Sequence, residues 1–260
     1  MTDFSSRVQP GEDKRSEFMK PRRRSSLSGP LTFFILIIAM IFVMSVIFRV
    51  STITVNGNTH YSDQDIINAI EIEQGDNLFF FDRFAAVSRV FAKLPYVEEV
   101  TVTRNLPDKV IIDVTETTAI AYFKLGTELW TLDHNCKILG KAAEGEEAGL
   151  IPITGFKPGT LLINERLTSE DGSGRNVDFL EEIFHQIEGR SILTYITKID
   201  FSDPNNVKLF YGGKYTINLG DPYSPEHKFS LVVSAISQLK DGDIGILDVS
   251  DAKTVHFKPY

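Results

Sequence analysis

The sequence predicts an α+β protein carried on a single membrane-spanning helix. Three observations carry that prediction. Leu31 to Phe48 is an apolar run of eighteen residues without a charge. Beyond it, apolar residues alternate with polar ones in short runs bounded by Gly, Asn, Asp and Pro, the signature of strands and turns. Four stretches with apolar residues at helical spacing are set unevenly among those strands, so helices and sheet are not in regular alternation.

As a helix, the apolar run covers roughly 27 Å, close to the hydrocarbon thickness of a bilayer. Gly29-Pro30 marks its start and Arg49 its end. A cleaved signal peptide has a shorter apolar core followed by a small-x-small site. Here Arg49-Val50-Ser51 follows instead, so the run reads as a retained anchor. Lys14, Arg15, Lys20, Arg22, Arg23 and Arg24 precede it, which by the positive-inside rule keeps the N-terminus in the cytoplasm and puts the bulk of the chain outside. Residues 1–30 therefore read as a basic tail and 31–49 as the span. The whole chain carries −8 and its first thirty residues +3, leaving −11 on the remainder. Such a domain repels phosphate, which argues against nucleic acid as a partner. The lone cysteine, Cys136, can form no internal disulfide and reads as a small half-buried residue of a strand.

Residues 50–118 form the first predicted domain. Ser51 to Val55 alternates as a strand and Asn56-Gly57-Asn58 turns the chain. Ser62 and Asp65 have capping-box spacing ahead of Ile66, Ile67 and Ile70. A second helix starts at Asp82, with Phe84, Val87, Phe91 and Leu94 as its apolar stripe, and stops at Pro95. Two strands follow. Pairing Val102 with Ile112 puts Val100 opposite Val114 and brings the apolar faces together, with a loop over residues 105–109. The order is β-α-α-β-β.

That unit, directly behind a single anchor, resembles a POTRA domain, and its wording is similar to that of the FtsQ/DivIB family of bacterial division proteins. The matching stretches are Ile53-Thr54-Val55-Asn56-Gly57-Asn58, Gly75-Asp76-Asn77-Leu78, Leu94-Pro95-Tyr96-Val97-Glu98-Glu99-Val100-Thr101-Val102 and Leu106-Pro107-Asp108-Lys109-Val110-Ile111-Ile112-Asp113-Val114-Thr115-Glu116. After the glutamate this chain has Thr117, Thr118 and Ala119, where the family often has a basic residue and a proline.

Residues 119–260 form a mixed, β-rich second domain with two helices. A Gly126-Thr127 turn pairs Phe123 with Trp130 and Ala121 with Leu132. Cys136 to Leu139 is a short strand, and residues 140–149 read as loop. Asn176 to Glu188 is a helix with Phe179, Leu180, Ile183, Phe184 and Ile187 on one side. Strands over 196–201, 207–211 and 215–219 follow, a three-residue loop pairing Leu209 with Ile217 and Val207 with Leu219. Pro225 opens the last helix, with Phe229, Val232, Ile236 and Leu239 buried. Residues 246–249 and 254–258 are the last strands. Lys228 and Leu247-Asp248-Val249 also resemble the family.

Nothing in the sequence assembles a catalytic motif, metal or cofactor site. His60, His134, His185, His227 and His256 are scattered, His185 reading as an edge histidine. Asp241 and Asp243 read as a solvated helix end. Glu144, Glu146 and Glu147 are an acidic loop cluster without a pocket to shift their pKa values. The resemblance implies a non-catalytic, single-pass scaffold of the divisome, at the division septum of the bacterial inner membrane. It implies as partners the small coiled-coil membrane proteins of the FtsB/DivIC and FtsL types. It places the partner contact on the late strands, here Thr254, Val255, His256, Phe257 and Lys258 with neighbouring Tyr215; Ser250-Asp251 departs from some relatives there. The rival reading is a POTRA-containing envelope-assembly or secretion component, which usually repeats the unit and continues into a barrel. Because the sequence ends at Tyr260, the strand over 254–258 is expected to be an uncovered edge onto which a partner adds a strand, and proline at 256 is expected to abolish recruitment.

Overall fold

The computed structural model describes residues 28–143, 145–240 and 242–260. The basic residues of the tail, Glu144 and Asp241, to which the sequence reading assigned a topology signal, an acidic cluster and a helix end, lie outside the described residues. Two units separate, one ending at Val46 and the other running Ile47–Tyr260. The first contributes helix α1 (Ser28–Ile47). Its stretch Gly29–Ile47 has a mean hydropathy of 2.7 and is apolar on every side, the pattern of a helix whose surroundings are apolar all round.

The second unit contains two hydrophobic cores. The first lies under a three-stranded sheet, ordered β1 (Thr52–Asn56), β3 (Lys109–Glu116), β2 (Val97–Asn105), with β1 parallel and β2 antiparallel to the central strand. Val102 faces Ile112 and Val100 faces Val114, the register that the alternating pattern requires. Helices α2 (Asp63–Ile70) and α3 (Arg83–Lys93) cover one sheet face. Ser62 and Asp65 close a capping box at α2, and Asp82 accepts from the N–H groups of Phe84 and Ala85 at α3. Of the expected α3 stripe, Val87, Phe91 and Leu94 pack on the core and Phe84 does not. Ala86 and Val90 are buried and Leu94 closes the row, while Phe84 lies 71 % exposed. The Asp82 cap fixes where the helix starts, and from that start positions 86, 90 and 94 face the sheet and position 84 does not.

Glu116, at the end of β3, ties this domain together. Its carboxylate accepts from Thr59 N–H (2.7 Å), Thr59 Oγ1 (2.8 Å), His60 N–H and Tyr61 N–H (3.1 Å), all in the loop that leads from β1 into α2. Burial works to raise its pKa, but the backbone N–H groups of His60, Thr59 and Tyr61 outweigh it and hold the carboxyl below its ordinary value.

The second core lies against a nine-stranded sheet, ordered β12-β11-β10-β9-β8-β7-β4-β5-β6. Its strands are β4 (Ala121–Leu125), β5 (Glu128–Leu132), β6 (Ile138–Ala142), β7 (Ile151–Thr154), β8 (Ile196–Asp200), β9 (Val207–Tyr211), β10 (Tyr215–Gly220), β11 (Gly245–Asp248) and β12 (His256–Pro259). Helices α4 (Arg175–Gly189) and α5 (Pro225–Ile236) are the crossovers that make β7/β8 and β10/β11 parallel. Their apolar sides, including Phe179, Phe184, Phe229 and Val232, share one core with the inward residues of the sheet.

The predicted pairs Phe123–Trp130, Ala121–Leu132 and Leu209–Ile217 are present. Val207, however, pairs with Gly220 rather than Leu219, because a bulge between Asn218 and Gly220 adds one residue to β10. Strand β7 was not foreseen. It has four residues including Pro152, and its pairing with β8 begins only at Ile153, beyond the missing N–H. Cys136 precedes β6 in a turn with φ of 56° and is fully buried, not half-buried in a strand.

At the head of α5, Lys228 is wholly buried. Its Nζ donates to the Asp221 carbonyl (2.9 Å) and to Asp221 Oδ1 (3.0 Å), and this bond holds the Asp221 carboxyl below the usual carboxylate range. Two predictions follow from these carboxylates. Glu116→Gln should destabilise the first domain by roughly 2 kcal/mol in urea unfolding of the detergent-solubilised chain. Because the folded pKa of Glu116 is lowered, its contribution is complete above about pH 5 and is lost as the pH falls through the folded value; the Gln variant should lose that part of the acid dependence. At the second site the two partners differ. Asp221 is 45 % exposed, so Lys228→Met leaves a carboxylate in water, whereas Asp221→Ala leaves a buried ammonium with one carbonyl. The Asp221 variant should be the more damaging, by about 3 kcal/mol, in the same unfolding measurement.

Candidate docking edge

The described strands leave two ends on the large sheet, and they differ. At the β6 end the segment around Glu165 lies alongside. Ile138 N–H donates to Glu165 O (2.9 Å) and Asn164 N–H to Ile138 O (2.7 Å). At the β12 end, among the described residues, no backbone bond reaches the outer side. That outer side can be read residue by residue. β12 runs antiparallel to β11 with Ile246 opposite Lys258 and Asp248 opposite His256. Tyr260 N–H donates to Ile244 O (3.1 Å), which fixes the phase of the alternating bonds. His256, Lys258 and Tyr260 therefore turn their N–H groups towards β11, and Val255 and Phe257 turn theirs outward. Pro259 faces outward with a carbonyl and no donor.

The side chains follow the pleat. Val255 and Phe257 pack against the core, while Thr254, His256 and Lys258 are exposed. The turn that delivers the strand is held by Asp251, whose Oδ1 accepts from Lys253 N–H (2.9 Å) and Thr254 N–H (3.2 Å). Those two bonds lower the Asp251 pKa. Thr254 Oγ1 lies 3.1 Å from His256 Nε2. Tyr215 stands two strands inward, buried at 8 %, in register with Gly245 and, across it, Pro259. The structure puts His256, Phe257 and Lys258 on β12, which runs His256–Pro259 and not over 254–258, leaves Thr254 and Val255 in the residues that lead into it, and sets Tyr215 behind them. It also refines the proline expectation: the His256 N–H serves the internal ladder, so proline there loosens β12 from β11 instead of blocking the outer side.

One residue of this edge was missed. A Cβ on Gly245 would come within 2.3 Å of Lys258 O and 2.9 Å of both Phe257 Cε2 and Pro259 Cα. Glycine inside a strand signals such a close approach, and Gly245 heading β11 carried that signal.

The scattered polar groups resolve differently. His134 and His185 face each other at 5.8 Å between ring centroids, His134 Nε2 lying 3.5 Å from Glu98 and His185 Nε2 3.8 Å from Glu181. Among the described residues no group of three His, Cys, Asp or Glu side chains could hold a metal ion.

Comparison with known proteins sets this edge in context. Residues 48–117 match the family model described as "POTRA domain, FtsQ-type". The chain is 25 % identical over 240 residues to a cell division protein DivIB of Clostridium botulinum, strain Hall, spanning 90 % of this chain and 92 % of that one. It is 24 % identical over 239 residues to the DivIB of Bacillus subtilis, spanning 92 % and 85 %. Along most of its length the chain is similar to cell division proteins of the FtsQ/DivIB family. A cell division protein FtsQ of Corynebacterium glutamicum is 33 % identical over 78 residues, 30 % of this chain and 35 % of that one. These relatives support a role in cell division, and the family-model match over 48–117 coincides with the POTRA unit behind the apolar N-terminal helix.

The geometry at Gly245 gives a prediction. Gly245→Ala should push β12 outward, costing about 1–3 kcal/mol. Amide hydrogen exchange should quicken at His256, Lys258 and Tyr260 while β4 and β5 stay protected.

Proposed function

We propose that this chain is a non-catalytic scaffold of the division machinery, of the FtsQ/DivIB type, using β12 as its docking edge. In this reading residues 1–30 are a cytoplasmic basic tail, 31–49 the span, 50–118 the POTRA domain and 119–260 the β-rich domain. The two domains stand outside the bacterial cell membrane at the septum. The partners are small coiled-coil membrane proteins of the FtsB/DivIC and FtsL types.

The uncovered outer side of β12 carries the proposal. An edge strand with unpaired donors and acceptors is a template for strand addition, and soluble proteins usually block one with charge, proline or a covering segment. The opposite end of the same sheet is covered in that way. At β12 the Val255 and Phe257 N–H groups point outward, and His256 and Lys258 add polar side chains on one face. Phe257 and Val255, packed against the core, couple any added strand to the interior, with Tyr215 behind them. The cationic flank of α1 supports the orientation.

Val255→Pro tests this. It removes one outward donor and leaves the inward donors of His256, Lys258 and Tyr260 in place. Recovery of the coiled-coil partners with the tagged chain from membranes should fall about tenfold. A variant with unchanged circular dichroism and undiminished partner recovery would remove β12 as the docking edge.

A further inference from the structure

The first domain presents phenylalanines to solvent at one place. In the turn between α2 and α3, Phe79 is 44 % exposed and Phe80 77 %, and Phe84 in the first turn of α3 is 71 % exposed. Contiguous exposed aromatic surface on a folded domain marks an interaction site. The turn is rigid. Asn77 Oδ1 accepts from Phe79 N–H (2.9 Å), and Asn77 O accepts from Phe80 N–H (3.0 Å) and Phe81 N–H (3.3 Å). Phe81 turns the other way, with the Arg104 guanidinium 4.7 Å from its ring centroid and Arg104 Nη2 bonded to its carbonyl. Asp82 then caps α3 and sets Phe84 on the outer side. The outward rings are therefore held in place by backbone bonds rather than left over from a loose loop.

Connectivity says what lies next to them. Helix α1 ends at Ile47, and the residues after it are hydrogen-bonded to this turn. Leu78 N–H donates to Phe48 O (2.8 Å), Val50 N–H to Asp76 O (2.7 Å) and Gly75 N–H to Val50 O (2.8 Å). The Phe48 and Phe79 rings meet edge to face at 5.0 Å. No linker separates the end of the apolar helix from the turn, so the tethered turn meets the bilayer surface at high effective concentration. The chemistry suits that surface. Rings beside Arg83, whose guanidinium sits 4.9 Å from the Phe84 centroid, and Arg49 combine apolar insertion with attraction to anionic headgroups. Asp76 and Asp82, the nearby acids, are engaged by backbone N–H groups of Glu73 and of Phe84 and Ala85.

We propose that Phe79, Phe80 and Phe84 form a second, peripheral membrane contact, seated at the headgroup–acyl boundary of the leaflet from which the chain emerges. The proposal rests on α1 being a membrane span, and the test separates the two. The full chain is labelled with a polarity-sensitive fluorophore at Phe80→Cys, Ile37→Cys or Lys253→Cys; Cys136, its one native cysteine, is buried and does not compete. Each is reconstituted in nanodiscs of phosphatidylethanolamine and phosphatidylglycerol containing lipid with a nitroxide near the headgroup end of the acyl chain or, in a parallel set that reports on Ile37, near its terminal methyl. The Phe80 label should lose fluorescence to the nitroxide and the Lys253 label should not. Adding Phe79→Asp and Phe84→Asp, both at exposed positions, should return the Phe80 label to the Lys253 level. Quenching at Ile37 with none at Phe80 overturns the proposal, leaves the span intact and points to a protein as the occupant of the turn. Quenching at Phe80 that survives the double substitution overturns it as well, since the rings would not be making the contact. No quenching at Ile37 with either bilayer-depth nitroxide removes the span and the proposal together.

Discussion

The Glu116 carboxylate holds three parts of the chain in one place. It closes the loop between β1 and α2, it ends β3, and it immediately precedes the passage into the second domain. Thr117 N–H donates to Tyr96 O (2.8 Å), and Lys137 Nζ from the second domain donates to Val97 O (3.0 Å). Burial lowers the Lys137 pKa, with Asp133 and Glu98 acting against that shift. Four donors on one carboxylate fix where β3 stops, so the residues after it leave in a defined direction and β4 begins within a few residues. An alanine at 116 would leave the loop N–H groups without their acceptor at the point where the two cores are joined.

The large sheet has a second constraint, its one-sided cover. With α4 and α5 on a single face, every strand must put its apolar set towards them, and that requirement excludes a one-residue slip in register. This is why the hairpin pairs at 123–130 and 209–217 were legible in the sequence, as was the 102–112 pair of the smaller sheet. In each, the turn length and the agreement of apolar faces select the same register. The caps at Ser62, Asp82 and Pro225 were legible for a similar reason, since a few adjacent residues decide them.

What was not legible depended on partners distant in sequence. β7 is four residues long with a proline, and only its parallel neighbours β4 and β8 make it a strand. The bulge at Asn218–Gly220 changes one pairing without a signal beyond a glycine. Phe84 looked like core because it is apolar and at helical spacing from Val87 and Phe91, yet the helix phase is set by Ala86 and Val90, small residues that allow close approach to the sheet. The candidate edge was half legible. The strand and its alternation could be read, but which N–H groups point outward follows only from the pairing with β11. The role of Gly245 follows only from the closeness of Phe257 and Lys258.

Pro259 gives the outermost strand a property beyond its lack of a cover. Outward donors occur at Val255 and Phe257, and the next outward position has none. Any foreign strand laid along β12 meets outward donors only before Pro259, where a carbonyl alone faces out. The edge works as a short ruler rather than an open template. Two copies of the chain meeting edge to edge would run out of bonds after one or two pairs, which makes such stacking self-limiting without a charge having to sit where a strand would dock.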